Sequence, residues 1–396
     1  MNPGERGRRE YEGLMGHKPE EALGEVLRTS PQMFEAVVEG AFGGALARPE
    51  LSRRARELAS VAIIAALGGA ERRLASHVRG ALRQGIEPSE LLALCEHLSV
   101  YAGFPRALDA LAVVNGVLEE QGLPKPPLMH RVALADHETV VAQKGDHGPA
   151  VILSHSLGVD WRMWEPVMER LANGRRVFAY DFRGHGGAAG APRPFTMDDL
   201  AADLLGVLDA FDVDRAHVVG LSMGGGIAQT VAVRAPERVA SLALLATTDH
   251  AFDAFEGRAR SGEDDGMEAQ IVPTLTRWFT PAALATDPWG VRYARERIRR
   301  LDSADWAAAW RAFKGLDVQG RIAGKDFPTL VLAGEADAST TPEIMSGIAE
   351  GIPGSTYREL PGTPHMQTLE RPDLVAAALD DFLPADRQSR RPPPRG

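Results

Sequence analysis

The chain has 396 residues, 44% hydrophobic and 25% charged, a balance typical of a soluble globular protein, and its length exceeds what one core usually supports, so two domains are expected. A formal net charge of −10 argues against nucleic-acid binding, which needs clustered lysine and arginine, although one local arginine can still serve an acidic small substrate. The single cysteine, Cys95, excludes an intramolecular disulfide and any Cys-x-x-Cys redox or zinc site, and reads most simply as a buried apolar residue.

The first residues are polar without an apolar targeting segment, and the longest apolar run, from Val61, is far too short to span a bilayer. A cytoplasmic protein without a membrane partner is therefore the expectation. From about Glu20 to Gln121 no strand pattern is visible, whereas helical patterning recurs in Pro19–Leu27, Pro31–Leu46, Leu51–Leu67, Glu71–Gly85, Pro88–Gly103 and Pro105–Gly122. Pro31, Pro49, Pro88 and Pro105 fall near helix starts, and Ser89 beside Pro88 adds a start signal for the segment carrying His97. An all-α domain over residues 1–121 follows. Its stretch Leu58–Ala70 is apolar or small even on the face expected to be polar, which is more apolar surface than one layer of helices buries. A homo-oligomer through this domain is the expectation; the alternative is that the second domain covers the surface within one chain. Residues 122–128 carry three prolines and read as a stiff linker.

Over residues 129–384 strands alternate with helices. A hairpin-like start, His130–Asp146, is followed by Pro149–Ser154, Arg175–Asp181, Ala216–Ser222, Val239–Thr247, Pro328–Gly334 and Ser355–Pro361, a pattern that predicts a mostly parallel sheet covered on both faces. The alternation stops between about 248 and 320, where Trp278, Trp289, Trp306 and Trp310 lie in a helix-prone stretch that reads as a cap over the site. Residues 385–396 are polar and proline-rich and predict a disordered tail.

Gly220-Leu221-Ser222-Met223-Gly224 runs from a β-branched strand into a small-residue helix, the context that a nucleophile elbow requires, and makes Ser222 the candidate nucleophile. Asp337 ends a later strand and His365 a later one still, so the chain order is Ser, Asp, His, as in the α/β-hydrolase arrangement. In that arrangement His365 takes the Ser222 proton, and Asp337 fixes the imidazole tautomer and stabilises the imidazolium. A glycine-rich strand end, a turn aspartate and a surface histidine are the bland readings of the same residues one at a time. His155-Ser156-Leu157-Gly158 follows an earlier strand, and the backbone N–H groups of Leu157 and Met223 are candidates for the oxyanion hole.

The C-terminal half, from about Arg131 to Leu383, resembles the 3-oxoadipate enol-lactonases among the α/β-hydrolases. The resemblance rests on His155–Gly158 with Asp160, Met163 and Trp164, on Tyr180-Asp181 with Arg183–Gly186, on Gly220–Gly225, on Leu275-Thr276-Arg277-Trp278-Phe279-Thr280 and on Gly334–Asp337. It implies an α/β-hydrolase fold with a helical cap, a lactone substrate and no cofactor or metal. Trp164, Arg183 and Trp278 are then candidates for substrate contact; for Arg183 and His185 a structural turn role is the alternative.

The helical half resembles the carboxymuconolactone decarboxylase family over Arg53–Gly122, on Ala65–Gly68, on His77 with Gly80, Ala81 and Gly85, and on His97 with Tyr101–Pro105. That family decarboxylates 4-carboxymuconolactone without a cofactor, giving the lactone that the enol-lactonase opens, and its members are oligomers with sites near subunit contacts. Decarboxylation leaves electrons that delocalise towards the lactone carbonyl, so a donor at that oxygen and an acid for carbon are needed; His77 and His97 suit those tasks near neutral pH. Glu57, Arg54 and Glu71 are weaker candidates, since charges at such spacing usually form a solvated face. Together the halves imply a bifunctional enzyme of aromatic catabolism. The alternative is a general esterase or lactonase with a non-catalytic helical module.

Overall fold

The computed structural model describes residues 2–123 and 126–385. Pro124 and Lys125 of the expected linker, and residues 386–396 of the expected tail, lie outside the described residues. The chain forms two compact units that meet between Pro126 and Pro127 in sequence.

The first unit is helical. Its opening helix, Pro3–Met15, lies where the sequence shows only a polar segment, because local signals start it without apolar periodicity: the Asn2 side chain accepts a hydrogen bond from the Glu5 N–H at 2.8 Å, and Pro3 occupies the first helical position. Tyr11, Leu14 and Met15 on this helix bury against Phe34, Val38 and Phe42 in a small core of their own. Gly7 permits that contact, since a Cβ there would lie 1.9 Å from the Val38 carbonyl oxygen. A second core, with Val61, Val78, Leu91 and Val114 at its centre, is shared by the helices Arg53–Leu67, Glu71–Arg83, Pro88–Ala102 and Phe104–Glu120.

The second unit is built on an eight-stranded sheet: β1 (Leu128–Ala133), β2 (Glu138–Lys144), β3 (Ala150–Ser154), β4 (Arg176–Tyr180), β5 (Ala216–Leu221), β6 (Val239–Leu245), β7 (Thr329–Gly334) and β8 (Thr356–Leu360). The order is β1-β2-β4-β3-β5-β6-β7-β8, with β2 antiparallel to its neighbours and β3 to β8 mutually parallel. The first strand begins at Leu128, inside the segment read as linker. Every residue of β3, β5 and β7 is buried, as a sheet covered by helices on both faces demands. The cap comprises the helices Ala254–Trp278, Pro281–Thr286, Trp289–Arg300 and Ser303–Lys314, the first of them broken at Gly266, whose φ is +76°. Gly262 lets the first cap helix close on the last: a Cβ there would meet Trp306 Cδ1 at 2.3 Å. Among the described residues, no helix is long and apolar enough to cross a membrane.

Candidate active site

Ser222 sits between β5 and the helix Met223–Arg234 with φ +56° and ψ −120°, a region that non-glycine residues rarely occupy. The surroundings enforce this strain. Its N–H donates to the Leu245 carbonyl at 2.9 Å, and its carbonyl accepts from Thr247 Oγ1 at 2.6 Å. The flanking glycines let the chains cross: a Cβ on Gly220 would lie 2.1 Å from the Gly224 carbonyl oxygen, and one on Gly224 2.1 Å from that of Ser154.

Asp337 and His365 leave the carboxyl ends of β7 and β8. Their loops are stitched together by the Glu335 N–H to the Leu360 carbonyl and the Ala336 N–H to the Thr363 carbonyl, both 3.0 Å. His365 Nδ1 lies 2.9 Å from Asp337 Oδ2. Thr340 Oγ1 donates to the same oxygen at 2.7 Å, while the N–H groups of Ser339 and Thr340 donate to Oδ1 at 2.7 and 3.1 Å. Burial alone would push the Asp337 carboxyl up, but the facing His365 ring and these donors hold it below the usual carboxylate range. Thr340 carries no sequence signal for this part. Ser222, His365, Leu157 and Thr340 line one cleft together with Trp278, which the cap supplies; Met366 N–H donates to the Trp278 carbonyl at 3.0 Å and ties cap to base loop.

The loop after β3 is held by two buried histidines. Gly158 N–H donates to His185 Nε2 at 2.9 Å, and Phe182 N–H donates to His155 Nε2 at 3.1 Å. The opposite nitrogens face the carbonyls of Arg183 and Ser156, so both rings are neutral Nδ1–H tautomers. Burial, aided by neighbouring cations, drives both pKa values down, that of His185 to about 4. Met223 is the first residue of its helix, where an N–H has no carbonyl of a preceding turn to bond. Leu157 lines the cleft with Ser222, and Met223 follows Ser222 directly in the chain.

Two expected substrate contacts are corrected. Arg183 grips Asp203 through Nε and Nη2 at 2.6 and 3.0 Å and Asp136 through Nη1 at 2.9 Å, so its guanidinium is fully engaged in a structural pair away from the cleft. Trp164 is wholly buried in the hydrophobic core and is not among the residues that line the cleft. The cleft arginines are instead Arg258 and Arg277. Arg277 lies in the cap motif that carries the resemblance, while nothing in the sequence singles out Arg258.

In the helical unit, Glu57 is wholly buried rather than on a solvated face, and its Oε2 lies 3.0 Å from His77 Nδ1. Gly80 makes room for it, because a Cβ there would stand 2.8 Å from Glu57 Oε2. His77 lines a cavity of about 590 Å³ together with Tyr11, Phe42, Arg72, Arg73 and Arg79. His97 does not line that cavity; it is exposed on the helix Pro88–Ala102 with its ring 5.1 Å from that of Tyr101. Arg54 pairs with Glu90, and Glu71 is exposed. Among the described residues, no group of three or more His, Cys, Asp or Glu side chains is arranged to hold a metal ion.

Over 243 residues the chain is 30% identical to 3-oxoadipate enol-lactonase 1 of Acinetobacter baylyi, covering 60% of this chain and 90% of the relative. It is 29% identical to 3-oxoadipate enol-lactonase 2 of the same organism, covering 59% and 88%. The crystal structure of the enol-lactonase from Burkholderia xenovorans LB400 superposes with a TM-score of 0.62 at 31% identity, covering 64% of this chain and 99% of that one. Residues 31–116 match the Carboxymuconolactone decarboxylase family. Residues 149–372, more than half of the chain, match the alpha/beta hydrolase fold, and the chain belongs to that family, with a carboxymuconolactone decarboxylase domain ahead of its hydrolase domain.

Proposed function

We propose that the chain catalyses two consecutive steps: decarboxylation of 4-carboxymuconolactone in the helical unit and hydrolysis of the resulting 3-oxoadipate enol-lactone in the hydrolase unit. The observation that carries the second step is the gathering of strained Ser222, His365 with its Asp337 partner, and the Leu157 loop around one cleft. Ser222 Oγ attacks the lactone carbonyl carbon as its proton passes to His365 Nε2, Nδ1 being engaged by Asp337. The N–H groups of Leu157 and Met223 receive the developing oxyanion. The ring C–O bond then breaks, and the departing enol oxygen takes the proton from His365 before the enol becomes a ketone. Water, deprotonated by His365, releases the acid and frees Ser222.

The first step draws support from the His77–Glu57 pair at the arginine-bearing cavity. With Nδ1 held by Glu57, the Nε2 of His77 is the nitrogen left for substrate. As the bond to the carboxylate carbon breaks and carbon dioxide leaves, the electron pair delocalises towards the lactone carbonyl, and a proton from His77 completes the carbon. The same reading includes a homo-oligomer formed through the helical unit, supported by the exposed Ile63, Leu67, Val100, Tyr101, Phe104 and Leu108.

The test supplies the full chain with 4-carboxymuconolactone and follows carbon dioxide and 3-oxoadipate. Equal yields of both support the reading. Carbon dioxide without ring opening would remove the hydrolase step, and opening of supplied enol-lactone without carbon dioxide would leave the helical unit non-catalytic.

A further inference from the structure

The loop after β3 carries Leu157, and it is anchored from two sides. From the base, His185 Nε2 accepts the Gly158 N–H at 2.9 Å and Asp181 Oδ1 accepts the Trp161 N–H at 2.8 Å. From the cap, the helix Trp289–Arg300 meets the loop at Asp160, which is wholly buried. Tyr293 and Arg297 stand four residues apart on that helix, hence on one face, and both reach Asp160. The Tyr293 hydroxyl accepts the Asp160 N–H at 3.1 Å and donates to Asp160 Oδ1 at 2.7 Å, so one phenol holds both the main chain and the side chain of this residue. Arg297 Nε lies 2.9 Å from Asp160 Oδ2, which also accepts from Arg162 Nη1 at 3.1 Å.

The cap also packs on the loop itself. Gly158 has φ +88°, and a Cβ there would lie 3.0 Å from Trp278 Cη2 and 3.2 Å from Trp306 Cζ3, both cap side chains. Leu157 therefore sits between a glycine clamped under two indoles and, three residues on, a carboxylate clamped by a phenol and a guanidinium. Taking these polar groups out of water is costly, and apolar side chains of the same volume would join cap to base at least as firmly. What the polar cluster adds is direction, because each hydrogen bond fixes an angle as well as a distance. Burial and the neighbouring Asp160 charge push the Tyr293 hydroxyl well above its usual pKa, so it is a donor at neutral pH.

We infer that Tyr293 and Arg297 are positioning residues for the hydrolase reaction: acting through Asp160, the third cap helix holds the Leu157 N–H where the oxyanion develops. This rests on the hydrolase reading above and adds to it that the cap contributes to the rate of the chemical step as well as covering the cleft. A donor displaced from the developing charge still lets substrate bind but no longer stabilises the transition state, so the loss falls on kcat rather than on KM.

The experiment follows hydrolysis of 4-nitrophenyl butyrate by the full chain, with rates referred to the Ser222 that a 4-nitrophenyl phosphonate titrates. It also compares two inhibitors: butyl trifluoromethyl ketone, whose serine adduct carries an oxyanion, and butyl methyl ketone, which forms no stable adduct. Tyr293→Phe removes one oxygen and keeps the ring. It is expected to lower kcat per titrated serine roughly tenfold, to leave KM within about twofold, and to weaken the trifluoromethyl ketone roughly tenfold with the methyl ketone unchanged. Arg297→Met is expected to act in the same sense by roughly threefold, and Arg297→Lys to recover most of it by returning a charge to Asp160. Because both residues act through Asp160, combining Tyr293→Phe with Arg297→Met is expected to cost less than the product of the single effects. A merely structural contact would lower the titratable fraction and the unfolding temperature while leaving kcat per serine and the ratio of the two ketone affinities as in the wild type; that result overturns the inference. If Tyr293→Phe does not fold, the same ratio in the two Arg297 variants decides. Ser222→Ala separates the two levels. Turnover that survives Ser222→Ala, or no turnover by the wild type, removes the hydrolase reading and the inference with it, whereas Ser222-dependent turnover with an unchanged ketone ratio removes only the positioning role.

Discussion

The two units support their candidate groups in different ways. In the hydrolase unit Ser222, Asp337 and His365 leave the carboxyl ends of β5, β7 and β8, and one continuous core reaches from sheet to cap. In the helical unit Glu57 and His77 sit on neighbouring helices, the apolar residues are divided between two small cores, and Ile63, Leu67, Val100, Tyr101, Phe104 and Leu108 remain 60–79% exposed. A parallel sheet buried on both faces positions its loops without outside help. A thin layer of helices with an uncovered apolar face has surface left for a partner.

Removing the nucleophile breaks the comparison most sharply. Ser222→Ala is expected to abolish lactone hydrolysis, by at least about 10⁴-fold, while carbon dioxide release continues unchanged. Asp337→Asn is expected to lower kcat by about 10⁴-fold, as the equivalent change does in a serine protease, because the ring adopts the wrong tautomer. Following each product separately in the same preparation checks both. The reciprocal change, His77→Ala, is expected to slow carbon dioxide release by about 10²- to 10⁴-fold and to leave ring opening intact. Loss of both activities in His77→Ala would show that the units are not independent.

A subtler contrast concerns assembly. Tyr101→Glu combined with Phe104→Glu places charge on the exposed apolar face, and light scattering is expected to show a smaller particle with undiminished ring opening. An unchanged mass would remove this face from the interface.

The smallest expected effect is on stability against pH. Burial lowers the pKa of His155, His185 and His217 from the ordinary 6.5, with His185 and His217 at about 4, and nearby arginines add to it for all three. For His185 and His217 the unfolded chain therefore binds the proton near pH 6.5, while the folded chain does not until about pH 4. Their contribution is full above pH 6.5 and falls as pH drops towards 4, by up to about 1.4 kcal/mol per pH unit for each ring. Urea unfolding of the hydrolase unit, followed by its tryptophans, is expected to show a midpoint that falls across that window; a flat profile would mean the rings are not neutral and buried in solution.

Much of the hydrolase unit was legible because its signals are local. The β3, β5 and β7 stretches are short apolar runs, and the elbow glycines stand two residues either side of Ser222 for a steric reason that spacing alone conveys. The helix Pro3–Met15 was not legible, since its start depends on the Asn2 cap and its burial on Phe34, Val38 and Phe42 arriving from later in the chain. Arg183 illustrates the opposite error. It stands in a recognisable loop motif, yet Asp203 and Asp136, 20 and 47 residues away, consume its charge.

The sequence by itself therefore determined the two-part organisation, the parallel sheet, and the choice of Ser222, Asp337 and His365 as candidates, whose order along the chain and positions after strands depend on short-range patterns. Only the tertiary structure decided which charges are satisfied. Glu57 gains its partner His77 across two helices, Arg183 is neutralised, and Arg258 and Arg277 face the cleft without a carboxylate. The physical reason is that strand and helix propensities act over a few neighbours, whereas the fate of a charge depends on which distant groups the fold brings within a few ångströms of it.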